Sequence, residues 1–272
     1  DTWDPKPQAG NDVRSVFQPV NTNVSGIQIS EHMPEIAKRA DRLAIVRSVH
    51  HKASDHREAA YWNLTGHEPR RLGAPAIVPS RDDWPSLGSM VAFAQKDHRH
   101  ERGMPGTVSI PYPIADRGLL NGQYAGMLGE DWAPVYVKPK SGRAYAGVSP
   151  ATGKLSLAPV AGLDGQRLAS RSSLMAKLEA VDARLPSSHV ADPLLAAEQY
   201  REQALNMVTA SAVRDAFDVS KEPENIRAAY GNHICGQSVL LARRLTGAGV
   251  PLATVYCCAG DLNGSAGSHW DT

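Results

Sequence analysis

No apolar run in this chain approaches the roughly 20 residues that a membrane helix requires, so none of its 272 residues reads as a bilayer span. An excess of charge of one sign is missing too: 29 Lys and Arg stand against 28 Asp and Glu, a formal net charge of +1. Without a basic run there is no footprint for a phosphate backbone, which excludes nucleic acid as the expected partner. Cysteine is scarce, with Cys235 lying some twenty residues ahead of the adjacent pair Cys257 and Cys258. That spacing fits neither a disulfide framework nor a zinc ribbon, and buried thiols are the expectation. A Walker loop, a dinucleotide fingerprint and a paired-cysteine zinc motif are likewise absent. Gly236-Gln237-Ser238 invites comparison with the hydrolase nucleophile elbow, but Leu240 holds the place of the second glycine and no strand immediately precedes it.

What is present has ordinary globular proportions. Hydrophobic residues make up 42% and charged residues 21%, while 23 Gly and 19 Pro imply long ordered loops rather than general disorder. The length suits one large α/β domain with a helical insertion. The chain opens on Asp1 and not Met, and it closes on His269-Trp270-Asp271-Thr272, which reads as the middle of a motif. Both ends are therefore expected to be cut, so the lack of a leader here does not bear on export.

Periodicity outlines the elements. Residues 1–25, broken by Pro5, Pro7 and Pro19, read as a loop that carries Asp1 and Asp4 around Trp3. Gly26 to Ile29 alternates as a strand, and Ser30 is placed to cap a helix holding Ile36, Ala37 and Ala40. Leu43-Ala44-Ile45-Val46 then reads as a buried strand, completing a strand, helix, strand unit. Further on, the spacing predicts a helix through Leu87, Met90, Val91 and Ala94 and a strand at Thr107 to Ile110. The Gly- and Pro-rich stretch from Pro111 to Ala161 is either functional or hides short strands. Two helical stripes follow, Leu174 to Leu185 and Tyr200 to Ser211, the second opened by Asp192-Pro193, and they predict a helical hairpin packed on the sheet. Helices at Glu224 to Tyr230 and Gly236 to Leu245 precede an almost wholly apolar strand, Val250 to Cys258. A strand buried on both faces implies a parallel sheet with helices on each side.

Chemistry concentrates where the Leu43 run ends. Four of the ten histidines lie between Leu43 and His67, among them His50, His51 and His56, beside Ser54, Asp55 and Arg57. Neutral imidazole is a common metal ligand and shuttles protons near neutral pH, whereas the plain alternative makes these residues a surface loop with a local cap. The pattern then turns helical through Ala59, Ala60 and Leu64 and reaches Thr65-Gly66, where glycine can close a helix. Strand, polar loop and helix is a frequent scaffold for a site, because ligands of open α/β sheets gather outside the carboxyl ends of the strands. Ser54, Asp55 and His56 are neighbours in sequence, which argues against a catalytic triad made of these three alone.

The segments DTWDPKP (Asp1 to Pro7), FQPV (Phe17 to Val20), GIQISEHMPEIAKRADRLAIVRSVHH (Gly26 to His51), His56 to Gly66, AFDVSKEP (Ala216 to Pro223), YGNHICGQSVLLARRL (Tyr230 to Leu245) and HWDT at the end resemble a bacterial family called domain of unknown function 1501. The resemblance covers nearly the whole chain. It implies the alkaline-phosphatase and sulfatase superfamily, and with it a three-layer α/β/α sandwich, mostly parallel, with metal ions at the carboxyl ends of the strands. On that basis the chain is a partial domain spanning 1–272 with a helical segment at about 163–218.

The same resemblance implies roles. Asp1 matches the metal-binding Asp that follows the first strand, with Asp4 as substitute, and His51, His269 and Asp271 join them as metal residues. Setting Thr65-Gly66 on the sulfatase Thr-Gly puts His56 where the nucleophile would stand, with Ser54 the nearest hydroxyl, so His56 and Ser54 are the catalytic candidates. The implied activity is metal-dependent hydrolysis of phosphate or sulfate esters, on a small-molecule or polysaccharide substrate, with zinc, calcium or magnesium as the metal. An extracytoplasmic location is implied as well, since many members carry a twin-arginine-type leader. The alternative is a non-catalytic extracytoplasmic binding protein on the same fold.

Overall fold

The computed structural model describes residues 3–70, 80–96, 104–111, 113–114, 119–137 and 211–256. The chain divides into two compact units that part between Lys52 and Ala53.

The N-terminal unit is built on an antiparallel hairpin, β1 (Pro19–Asn21) with β2 (Gln28–Ser30), in the register Val20 opposite Ile29. The Thr22 hydroxyl closes the turn by donating to the carbonyls of Val24 and Ile27 at 3.0 and 2.9 Å. Ile29 is fully buried and anchors this small core. A short helix, α1 (Pro34–Ala37), follows, and Asn23 ties it back to the hairpin by donating its backbone N–H to Ala37 O at 3.0 Å. Its cap position is Met33, not the expected Ser30, because Pro34 sits naturally at the first helical position, where no N–H is needed. The expected loop over 1–25 also gives way to β1 at its end, since Pro19 occupies the first residue of an edge strand.

Leu43 to Val46 is not a strand in this structure. Leu43, Val46 and Val49 are 43%, 66% and 72% exposed, and Ala44 to Ser54 exchange no backbone hydrogen bonds among the described residues. The strand, helix, strand unit is thus a hairpin, a helix and an extended segment. β-Propensity reports fitness for a half-buried pleated surface, and the run of Leu, Ile and Val carries that fitness without a neighbouring ladder to meet it.

The second unit holds a parallel sheet of order β4-β3-β5, with β3 (Val108–Ile110) between β4 (Val135–Tyr136) and β5 (Ala253–Val255). β4 is one of the short strands concealed in the Gly- and Pro-rich stretch. Before the sheet come α2 (His56–Thr65) and α3 (Leu87–Ala94), both as their spacing predicts. α2 ends at Gly66 with φ 73°, a left-handed conformation that costs glycine nothing and most residues a kilocalorie or more.

After the sheet's first two strands the described chain resumes in α4 (Ser211–Phe217), followed by α5 (Glu224–Tyr230) and α6 (Ile234–Gly247). Most of the expected helical hairpin, with Leu174 to Leu185 and Asp192-Pro193, lies outside the described residues. Strand side chains alternate between faces, and Val108, Ile110 and Val137 turn toward Val213, Phe217, Leu241, Leu245 and Val250 to form the main core. Arg244 joins α6 to α4: its guanidinium donates to the carbonyls of Asp215 and Ala216 at the end of α4 and pairs with Glu222 at 2.6 Å. Carbonyls left over at a helix end are thereby satisfied by a cation that also suits the helix dipole.

Cys235, in the first turn of α6, is disulfide-bonded, which corrects the expectation of buried thiols. The only other cysteines in the chain, Cys257 and Cys258, lie outside the described residues.

Phe217 is fully buried at the centre of the main core. Phe217→Ala should therefore destabilise the chain by about 3–5 kcal/mol, measured by denaturant titration.

Candidate functional site

The carboxyl edge of the parallel sheet is lined with hydroxyls. Ser109 in β3 is paired in register with Tyr136 in β4 and Thr254 in β5, so the three share the face opposite the aliphatic core. Tyr256, two residues past Thr254, continues that face; it donates its backbone N–H to Ile110 O at 2.9 Å, and its phenol is hydrogen-bonded to Ser109. Burial pushes the Tyr256 phenol up to about 12, against the smaller opposing pull of the Ser109 bond. Tyr124 comes from the loop that precedes β4; its ring centroid lies 6.3 Å from that of Tyr136, and burial raises its phenol as well.

Gln123 holds this loop in place. Its buried amide accepts from Ile114 N and donates to Ile114 O, both at 2.8 Å, and donates to Leu120 O at 2.7 Å. The Gln123 carbonyl in turn accepts from the Tyr136 hydroxyl at 2.8 Å. The adjacent Gly122 runs against α2, where a Cβ would lie 3.1 Å from Tyr61 Cα and 3.3 Å from Thr65 Cγ2, leaving little room for a side chain. Tyr61 reaches the other way, its hydroxyl accepting from Trp84 N at 2.7 Å. Trp84 stacks against His67 at 4.1 Å between centroids and takes Arg70 over its ring at 4.0 Å. One helix thus links the loop before β4 to a cationic aromatic surface.

At its other end α2 is capped by Asp55, whose carboxylate accepts from Arg57 N at 2.9 Å and Glu58 N at 3.4 Å. Ser54 stands exposed just before the cap, and His56 is the first residue of the helix. The helix predicted to start at the nucleophile position and to end at Thr65-Gly66 is therefore formed, with Asp55 rather than His56 doing the capping.

The other expected site residues fall elsewhere. Asp4, in the N-terminal unit, is ion-paired with Lys6 at 3.1 Å and Arg47 at 3.7 Å. His51 is exposed at the end of the extended segment. Asp1, His269 and Asp271 lie outside the described residues. Among the described residues no three His, Cys, Asp or Glu side chains gather as a metal group. Ser109, Gln123, Tyr124, Tyr136 and Tyr256 were not singled out by the sequence, since their meeting depends on which strands pair.

The entire chain, residues 1–272, matches the model of a family described as protein of unknown function, DUF1501. It belongs to that family. No curated protein and no solved structure matches this DUF1501 chain.

Two outcomes follow for this DUF1501 site. Asp55→Ala should cost about 1 kcal/mol of stability, while Asp55→Ser, which keeps an acceptor, should retain most of it, as read by thermal melts. The Tyr256 phenol is held protonated more firmly in the folded chain than in the unfolded one, whose ordinary value is 10.0. Its contribution is fully present below that value and is lost as pH rises toward about 12. Tyr256→Phe should flatten the alkaline limb of a stability profile over that window.

Proposed function

We propose that this DUF1501 protein is an extracytoplasmic, metal-dependent hydrolase of phosphate or sulfate esters with the three-layer α/β/α arrangement of the alkaline-phosphatase superfamily. The observation that carries the reading is α2: it opens at His56 directly after Ser54, closes at Thr65-Gly66, and lies against Gly122 of the loop that precedes β4. The Asp55 carboxylate already takes the first free N–H groups of this helix, so α2 contributes position rather than positive charge to the proposed site.

Asp1, Asp4, His51, His269 and Asp271 are the proposed metal residues. Carboxylate and imidazole donors suit magnesium, calcium or zinc, and Asp4 already works as an acceptor for two cationic side chains. A bound divalent ion would polarise the ester and lower the pKa of a coordinated water or hydroxyl. Ser54 offers a hydroxyl nucleophile, and His56 an imidazole to move its proton.

The Cys235 disulfide supports the location, since such bonds persist in oxidising compartments and are rare in the cytosol of mesophiles. Thiol titration of the denatured, unreduced protein should find one free thiol among the three cysteines; three would remove this support.

Activity is tested on the complete gene product with aryl phosphates and aryl sulfates, each with zinc, calcium or magnesium. His56→Ala should lower the rate by about 10²-fold or more if the imidazole transfers protons. Full activity of that variant would take His56 out of the site. Absence of turnover with every metal would favour the non-catalytic binding protein.

A further inference from the structure

Three phenols crowd the carboxyl edge of the sheet, and only two of them are used by the fold. Tyr136 donates its hydroxyl to Gln123 O, and Tyr256 bonds Ser109. The Tyr124 oxygen is removed from solvent and has no hydrogen-bond partner among the described residues. Leaving a buried hydroxyl unsatisfied is unfavourable, so phenylalanine would serve the core better.

The residue is nevertheless held in place with care. Its carbonyl accepts from Ser86 N at 2.9 Å and from the Ser89 hydroxyl at 3.5 Å, and the neighbouring Gln123 amide is bonded three times. Ser86 is itself the cap of α3, accepting from Ser89 N at 3.2 Å. The backbone of Tyr124 is thus pinned between a helix start and a fixed loop. A donor on a rigid mount, out of water and just beyond the ends of parallel strands, is the arrangement that recognition of a ligand oxygen requires.

We propose that the Tyr124 hydroxyl is a substrate-binding group that donates a hydrogen bond to a non-bridging oxygen of a tetrahedral phosphoryl or sulfuryl group. The inference rests on the ester-hydrolase reading for the class of ligand, and not for the position of the donor. Burial raises the phenol above its ordinary value, which keeps it a protonated donor near neutral pH. No bond is made or broken at Tyr124: it is a binding residue.

The test compares wild type, Tyr124→Phe and Tyr136→Phe by thermal melts and by calorimetric titration with inorganic phosphate and, separately, inorganic sulfate. Tyr124→Phe should melt no lower than wild type, because no bond within the fold is lost, whereas Tyr136→Phe should melt lower. Affinity for the anion that wild type binds should fall about tenfold in Tyr124→Phe, the effect of one hydrogen bond to a charged acceptor, and the preferred anion separates a phosphoryl from a sulfuryl site. A Tyr124→Phe protein that melts as low as Tyr136→Phe, or that keeps the wild-type affinity, overturns the proposal, as does a wild type that binds neither anion. Anion binding lost in Tyr124→Phe, without ester hydrolysis under any metal, would uphold Tyr124 and refute the hydrolase. Hydrolysis with an unchanged KM in Tyr124→Phe would do the reverse.

Discussion

Parallel pairing of β3 with a strand on each side is the constraint on which the second unit depends. A central parallel strand must be covered on both faces, because its connections pass over the sheet rather than around a hairpin turn. Val108 and Ile110 meet the demand on one side by joining Phe217, Leu241 and Leu245. On the other side Ser109 is as deeply buried as its neighbours yet carries a hydroxyl. Covering that face with aliphatic side chains would strand the Ser109 oxygen, so its neighbours are Tyr136, Thr254 and Tyr256, which bring polar atoms of their own. The polar edge is therefore a consequence of one serine at the centre of the sheet.

From this edge the demand passes outward. Tyr136 needs an acceptor and finds the Gln123 carbonyl; Gln123 needs three partners for its buried amide and finds them at Ile114 and Leu120. Once the amide is satisfied the loop is fixed, and Gly122 can lie against Tyr61 and Thr65 of α2. Networks of this kind are stabilising only when complete, since each partner that goes missing exposes a desolvation cost. Tyr124 stands out because it lies beside the same residues and its hydroxyl is unmatched among the described ones.

Elements with a strong local signature were legible from the sequence. α2 announced itself by its helical pattern and by Gly66 behind it, α3 by its period, α5 by Gly231, and α6 by its apolar stripe running to Gly247. What could not be read was pairing. Leu43 to Val46 has the composition of a buried strand and is exposed, while Val135-Tyr136, within a stretch of glycine and proline, is a strand because β3 lies beside it. The hydroxyl face escaped for the same reason: it depends on which residues meet across the sheet, and sequence spacing does not carry that information. Of the expected site, the helix between Ser54 and Gly66 was legible because capping is local, and the metal set rests on resemblance to the family.

The capping of α2 also bears on how a nucleophile at its start would be activated. A free helix start offers several N–H groups to an anion, but here the Asp55 carboxylate takes those of Arg57 and Glu58, and the Asp55 carbonyl takes that of Ala59. A negative charge on the cap cancels much of the partial positive charge that the helix would present. Ser54, adjacent to that carboxylate, would have its hydroxyl made less acidic rather than more, since a nearby negative charge disfavours an alkoxide. On the hydrolase reading the helix therefore positions Ser54 and His56 without activating them. The charge needed to make an oxygen nucleophilic near neutral pH would have to come from a cation, which is why that reading is tied to metal and would fail without one.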